Sequence, residues 1–228
     1  MEALGSTAQP PPDLYRVAGA ASKGRWSIIT LFIGTVLSSV GLIAFVAGTE
    51  LAQLAARQGM SSPGGVAMAS DGLVVLMIGG FLILVSVVLF ILALNEFSQE
   101  FWEPALFRDG IVLLVIIAIN DIMYAVGVPY VSLVLFIVEG YFMKRIFTGL
   151  ADGSETISPE AADKFSSAGS WFWIGGWLMI VVIGSIMWLV AYVRAMKGFG
   201  ALKNAAITAA LSPQQPGPSL GGPQLTKA

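Results

Sequence analysis

Two acids stand inside strongly apolar sequence, where an ionisable side chain is expensive to place. Asp121 follows Asn120 in the run 111–126, and Glu139 precedes Gly140 and Tyr141 in the run 130–147. A charge at the centre of a bilayer costs about 2.5–3.5 kcal/mol on insertion scales, so such residues face a partner, a cavity or a pathway. A turn at Gly127-Val128-Pro129 puts Asp121 about 10 Å and Glu139 about 15 Å away along their helices. At those heights the two carboxylates can face one another. Asp121, Glu139, Asn120 and Tyr141 therefore form the candidate proton or cation site, with the amide and the phenol as hydrogen-bonding neighbours. A plainer reading stands beside it. Glu139 is little more than a turn from Lys144 and can pair with it, and Asn120-Asp121 can mark the end of a shorter span.

Few other chemistries are open to this chain. It has no cysteine and no histidine, which removes disulfides, thiolate catalysis, iron–sulfur clusters and histidine-held haem, copper or zinc. A Ser-His-Asp triad is excluded as well. The sequence shows no glycine-rich nucleotide loop and no paired-acid metal motif, so neither enzyme activity nor a cofactor or metal is expected. A net charge of −2 without blocks of like charge gives no reason to expect a nucleic-acid or anionic-lipid partner.

The elements that must position these residues are hydrophobic helices. Of the 228 residues 56% are hydrophobic and only 11% charged, against about 25% charged in soluble domains. The expectation is an all-α integral membrane bundle, because about 20 apolar residues cross a 30 Å hydrocarbon core. Five spans are expected, at 26–47, 72–94, 111–126, 130–147 and 171–192. A polar segment 1–25 precedes the membrane domain 26–199, and a largely disordered tail 200–228 follows. Ser70 or Asp71 is the expected cap of the second span, after a break at Ser61-Ser62-Pro63-Gly64-Gly65. Residues 110–147 as one helix would reach about 57 Å, so two short spans forming a tight hairpin around Gly127 to Pro129 are preferred, with a re-entrant or strongly tilted pair as the alternative. Ser158-Pro159-Glu160 reads as a helix start, leading into a last span whose entrance carries Trp171, Trp173 and Trp177. Arg16, Lys23 and Arg25 favour a cytoplasmic N-terminus. Counting charges over five spans divides them poorly, and four spans divide them slightly better.

The stretch Leu92-Ala93-Leu94-Asn95-Glu96-Phe97-Ser98, followed by Ala105-Leu106-Phe107-Arg108-Asp109, resembles archaeal multi-pass membrane proteins grouped as a domain of unknown function. Tyr141 to Gly149, Phe165-Ser166-Ser167-Ala168-Gly169 and Ile174-Gly175-Gly176 carry the resemblance further, so that it covers about 72–199. It implies an archaeal plasma membrane and a multi-helix fold. It carries over no catalytic residue.

Small residues recur along the spans. Gly34 with Ser38, Gly41, the pairs Gly79-Gly80 and Gly175-Gly176, and Gly184 can let helices approach closely. Ile78-Gly79-Gly80-Phe81-Leu82 is echoed by Ile174-Gly175-Gly176-Trp177-Leu178, a short internal similarity of the kind that duplicated transporters show. Two functions remain open. One is a non-enzymatic structural or accessory component of a membrane assembly, contacting lipid and other membrane subunits or a second copy of itself. The other is a small proton or cation transporter or channel that uses the intramembrane acids.

Overall fold

The computed structural model describes residues 10–126, 128–179 and 183–212. Among these the chain is all-α, with six helices and no strand. They are α1 (Leu14–Arg57), α2 (Pro63–Glu100), α3 (Pro104–Ala125), α4 (Pro129–Ser154), α5 (Pro159–Leu178) and α6 (Ile183–Leu211). They pack as three antiparallel hairpins. Each helix lies against the next in the chain, and α6 closes the ring against α1.

The boundaries follow from local chemistry. Asp13 caps α1 by accepting from the backbone N–H groups of Tyr15 and Arg16. Gly59, at φ 71°, ends it. There Met60 N bonds to Ala55 O at 2.9 Å and Gly59 N to Ala56 O at 3.1 Å, a Schellman closure for which glycine is the natural residue. Proline opens four of the helices, at Pro63, Pro104, Pro129 and Pro159, where its missing N–H is not needed. Ser158 caps α5 as expected, accepting from Ala161 N at 3.2 Å.

The second helix starts earlier than expected. Its cap is Ser62, which accepts from Gly65 N at 3.2 Å, and Ser70 and Asp71 lie inside the helix. The reason is tertiary. α2 pairs with α1 along its whole length through small residues set every seventh position. Ala20, Ser27, Gly34, Gly41 and Gly48 of α1 and Gly65, Gly72, Gly79, Ser86 and Ala93 of α2 are all buried. A Cβ built on Gly34, Gly41 or Gly48 would sit 2.7–2.8 Å from the carbonyl oxygen of Gly79, Gly72 or Gly65 respectively. The reverse contacts are 2.7–3.0 Å. The backbones touch, and Ser86 Oγ donates to Ser27 O at 2.7 Å to extend the same register.

The last expected span, 171–192, is not one helix. The chain reverses between Leu178 and Ile183, so α5 and α6 lie side by side. A Cβ on Gly184 would collide with Gly175 O, Trp188 Nε1 donates to Phe172 O at 3.1 Å, and the Phe165 and Phe199 rings stand 4.9 Å apart. Hydropathy ran through this turn because both of its sides are apolar. The expected hairpin at 111–147 matches α3 and α4 in its turn, with Gly127 itself outside the described residues. α1 already begins at Leu14, and α6 continues to Leu211, so residues 200–211 of the expected tail are helical. Residues 213–228 and 1–9 lie outside the description.

The count of five membrane spans is not supported. Two helices, α1 and α2, are long and apolar enough to cross a membrane. At 1.5 Å per residue α1 is about 66 Å long and α2 about 57 Å, against roughly 30–44 Å for the other four. Met179 and Ser185, flanking the α5–α6 turn, share a groove with Ile28, Leu31 and Thr35. From that level α1 runs on for about another 33 Å. The α1/α2 hairpin thus projects beyond the other two.

Charge gathers at the opposite end, where the chain enters α1, passes from α2 to α3 and from α4 to α5, and leaves α6. Arg16 pairs with Glu100 at 2.8 Å, Lys23 with Glu96, and Arg145 with the buried Asp109 at 2.9 Å. Beneath this belt lies an aromatic core in which Phe97, Phe147, Phe165, Phe172 and Phe199 are essentially inaccessible. Phe147 stacks on Phe172 at 5.3 Å and Phe97 on Phe199 at 6.1 Å. Gly24 lies directly against the Phe199 ring.

Candidate functional site

α3 and α4 bring Asn120 and Glu139 together. Asn120 Nδ2 donates to Glu139 Oε1 at 2.7 Å, and the two residues are only 5% and 4% exposed. The pairing follows from the antiparallel hairpin, which sets α3 and α4 side by side at this height. Among the described residues Asn120 Oδ1 has no hydrogen-bond partner, and neither has Ser132 Oγ on the same hairpin. A buried polar atom without a partner carries a desolvation penalty.

Asp121 and Tyr141 are not part of this arrangement. Asp121 is exposed, because successive helical residues point about 100° apart and only Asn120 faces α4. Tyr141, two positions past Glu139, turns to the outer side of α4. It is 44% exposed, meets the rings of Phe142 and Trp173 edge-on at 5.5 and 6.1 Å, and lies under the Arg145 guanidinium at 5.8 Å. Lys144 is not the partner of Glu139 either. Its ammonium stands over the Trp173 ring at 5.9 Å.

Glu139 also borders a partly open cavity of about 220 Å³ lined by α1, α2, α3, α4 and α6. Its polar lining is Ser27, Ser86, Glu139, Trp188 and Tyr192, the rest is aliphatic or aromatic, and no lysine or arginine reaches it. Ser27 and Ser86 are already satisfied by Gly24 O and Ser27 O, and Trp188 by Phe172 O. What faces the space with free capacity is the Glu139 carboxyl and the Tyr192 hydroxyl. Chemically such a pocket can hold a proton on a carboxyl group, or a small polar guest. It offers one carboxylate, fewer oxygen ligands than a hard cation takes. No group of three or more acids able to hold a metal occurs among the described residues.

The glycines named from sequence divide into two kinds. Gly34 packs on Gly79, Gly175 on Gly184, and Gly176 on the Phe136 carbonyl and Gly140. Gly80 has nothing within 4 Å of a built Cβ and is not a packing position. The two Ile-Gly-Gly motifs are therefore inequivalent: Gly176 is buried where Gly80 is open. Gly48, Gly65 and Gly72 were missed, as were Ser27 and Ser86. Their signal was present, a run of small residues at intervals of seven in both of the longest apolar segments.

The comparisons bear on this architecture only in part. Residues 122–193 match the family model described as a protein of unknown function (DUF996). The matched stretch covers the end of α3, all of α4 and α5, and the first third of α6, so it includes Glu139 but neither Asn120 nor the α1/α2 hairpin. The chain is also similar to the uncharacterized protein MJ1644 of Methanocaldococcus jannaschii, at 27% identity over 150 residues, covering 55% of this chain and 81% of that protein. No solved structure matches. The expected likeness to a family of unknown function with an archaeal member holds, the family model matching residues 122–193 of the expected 72–199.

Proposed function

We propose that this protein is a non-enzymatic, membrane-embedded helical component that packs within or beside a larger membrane assembly. The observation that carries the reading is the bare apolar surface of the projecting hairpin. In their most apolar windows α1 and α2 are only 17% and 11% buried, and Ile43, Met77 and Phe81 are 69%, 68% and 64% exposed. Water does not tolerate a continuous apolar surface of this extent, whereas lipid and other transmembrane helices do.

The charge distribution supports the same reading and gives it an orientation. Lys and Arg number 12. The belt end holds Arg16, Lys23 and Arg25 on α1, Arg108 on α3, Lys144 and Arg145 on α4, Lys164 on α5, and Arg194, Lys197 and Lys203 on α6. Arg57 alone stands at the far tip of the described chain. Cations gather on the cytoplasmic side of membrane proteins, so the belt belongs to the cytoplasm. α1 and α2 then cross the membrane fully from about Trp26 and Leu94, while α3/α4 and α5/α6 dip in from the cytoplasmic side and return.

Single-cysteine accessibility tests this directly, because the chain has no cysteine of its own. Cysteines at Ser98 and Glu155 should react only with reagent on the cytoplasmic side. One at Gln58 should react only from outside, and one at Val126 should be shielded on both. Outside labelling at Glu155 would overturn the topology. For the assembly role, the protein isolated from its own membranes in mild detergent should carry stoichiometric membrane subunits, lost when Phe81 and Met77 become serine. Isolation as a lone, monodisperse chain would refute that role.

The second reading, a proton pathway, is favoured by the Asn120–Glu139 pair at the cavity. Phe147, which lines that cavity and stacks into the aromatic core, stands between it and the belt. Proton flux in liposomes that Glu139→Gln abolishes would establish this reading over the first.

A further inference from the structure

Among the described residues Arg16, Lys23, Arg108, Lys144 and Arg145 of the belt each meet a carboxylate or an aromatic ring. Three cations that share one groove are answered by no more than one distant, exposed carboxylate. Lys164 on α5 and Arg194 and Lys197 on α6 line a shallow depression of about 420 Å³, whose remaining walls are Leu189, Val190 and Val193. No acid lines it. Among the described residues neither Arg194 nor Lys197 has a carboxylate within ion-pair distance. Lys164 reaches only Glu160, at 4.0 Å and largely in solvent.

The groove is held in shape by the hairpin behind it. A Cβ on Gly198 would lie 2.8 Å from the Phe165 ring and 3.3 Å from Lys164 Cβ, so α5 and α6 close tightly here and fix Lys164 beside α6. Arg194 and Lys197, three positions apart, share a helix face. Val190 and Val193 continue that face for one turn towards the α5–α6 tip, with Leu189 alongside. The lining is therefore sorted along the helix axis: cations at the belt level, bare aliphatic side chains below.

A surface that is cationic at one height and aliphatic one turn lower matches one kind of molecule. We propose that this groove binds an anionic lipid, its phosphate headgroup among Lys164, Arg194 and Lys197 and the first part of an acyl chain along Leu189, Val190 and Val193. Basic pockets on the cytoplasmic side of membrane helices bind acidic headgroups in this way. The inference rests on the membrane reading above, which places the belt at a bilayer surface.

The test uses the full chain in a mild non-ionic detergent, titrated with phosphatidylglycerol or phosphatidylcholine and read by native mass spectrometry. The parent should bind phosphatidylglycerol in preference. Each cation near an anionic headgroup is worth about fivefold in affinity, so replacing all three with glutamine should weaken binding roughly a hundredfold. Arg25→Gln, a belt cation outside the groove, should leave it unchanged, and replacing the two lysines with arginine should preserve it. An unaltered melting temperature of the triple variant would show that the fold is intact. Equal binding of the two lipids, or full binding by the triple variant, would overturn the proposal. Displacement of the lipid by millimolar inorganic phosphate would also overturn it, in favour of a site for a soluble anion. Failure of the membrane reading is separately visible, as a chain that stays monodisperse without detergent.

Discussion

Replacing Gly41 with alanine is the sharpest probe of the α1/α2 interface, with Gly80→Ala as its internal control. The two glycines lie in apolar helices, and each substitution gains about the same helix propensity, up to roughly 1 kcal/mol. Their surroundings differ. A Cβ at position 41 would stand 2.7 Å from Gly72 O, while C···O contacts between close helices ordinarily lie at about 3.3–3.6 Å. The helices must part by more than half an ångström at that level, a gap that forfeits about a quarter to a half of each dispersion contact. Overpacking of this kind costs about 1–3 kcal/mol. At position 80 there is nothing within 4 Å, so only the propensity gain remains. For a chain of this size 1 kcal/mol shifts the melting temperature by about 2–4 °C. Gly41→Ala should therefore melt about 2–12 °C below Gly80→Ala, measured in one detergent by tryptophan fluorescence. Equal melting temperatures would refute the backbone contact as the determinant of the hairpin.

Three further outcomes follow from the geometry. Ser86→Ala removes the bond to Ser27 O; interhelical bonds of this kind average about 0.6 kcal/mol, so a fall of only about 1–3 °C is expected, and a larger one would mean that the hydroxyl does more. Asn120→Leu strips a donor from buried Glu139 and should cost about 1–3 kcal/mol in thermal stability, whereas Glu139→Gln keeps an acceptor for Asn120 and should cost clearly less; the reverse order would argue against the pair as described. Glu100 accepts from Asp13 N and pairs with Arg16, which is half-exposed, so Glu100→Gln should lose no more than about 1 kcal/mol. Glu100→Ala should in addition speed hydrogen exchange at the start of α1, and unchanged exchange there would contradict the tether.

Much of this fold was legible in local sequence because its signals are local. Ser158-Pro159-Glu160 marks a helix start through the missing N–H of proline, and Gly127-Val128-Pro129 marks a turn between two helices, whereas Pro63 reads as a break and turns out to open α2. Asp121 and Glu139 stand out because acids are rare in apolar runs, and Asn120 and Tyr141 enter as their hydrogen-bonding neighbours. Facing was harder to read. Spacing along the helices does not tell that Asp121 is exposed and Tyr141 rotated away from the α3/α4 contact, leaving Asn120 as the partner of Glu139.

The sequence by itself determined that the chain is helical and apolar and has no histidine or cysteine chemistry. Only the tertiary structure decided that the last apolar run turns back on itself. The stretch 171–192 is equally hydrophobic on both sides of its reversal, so hydropathy cannot see the turn, while the Gly175–Gly184 contact requires it. That reversal carries Arg194, Lys197 and Lys203 to the same end as Arg16, Lys23 and Arg25. It also brings Trp188 and Tyr192 to the Glu139 cavity. A hydropathy profile reports how well each residue avoids water, and it holds no record of which backbone comes close enough to touch another.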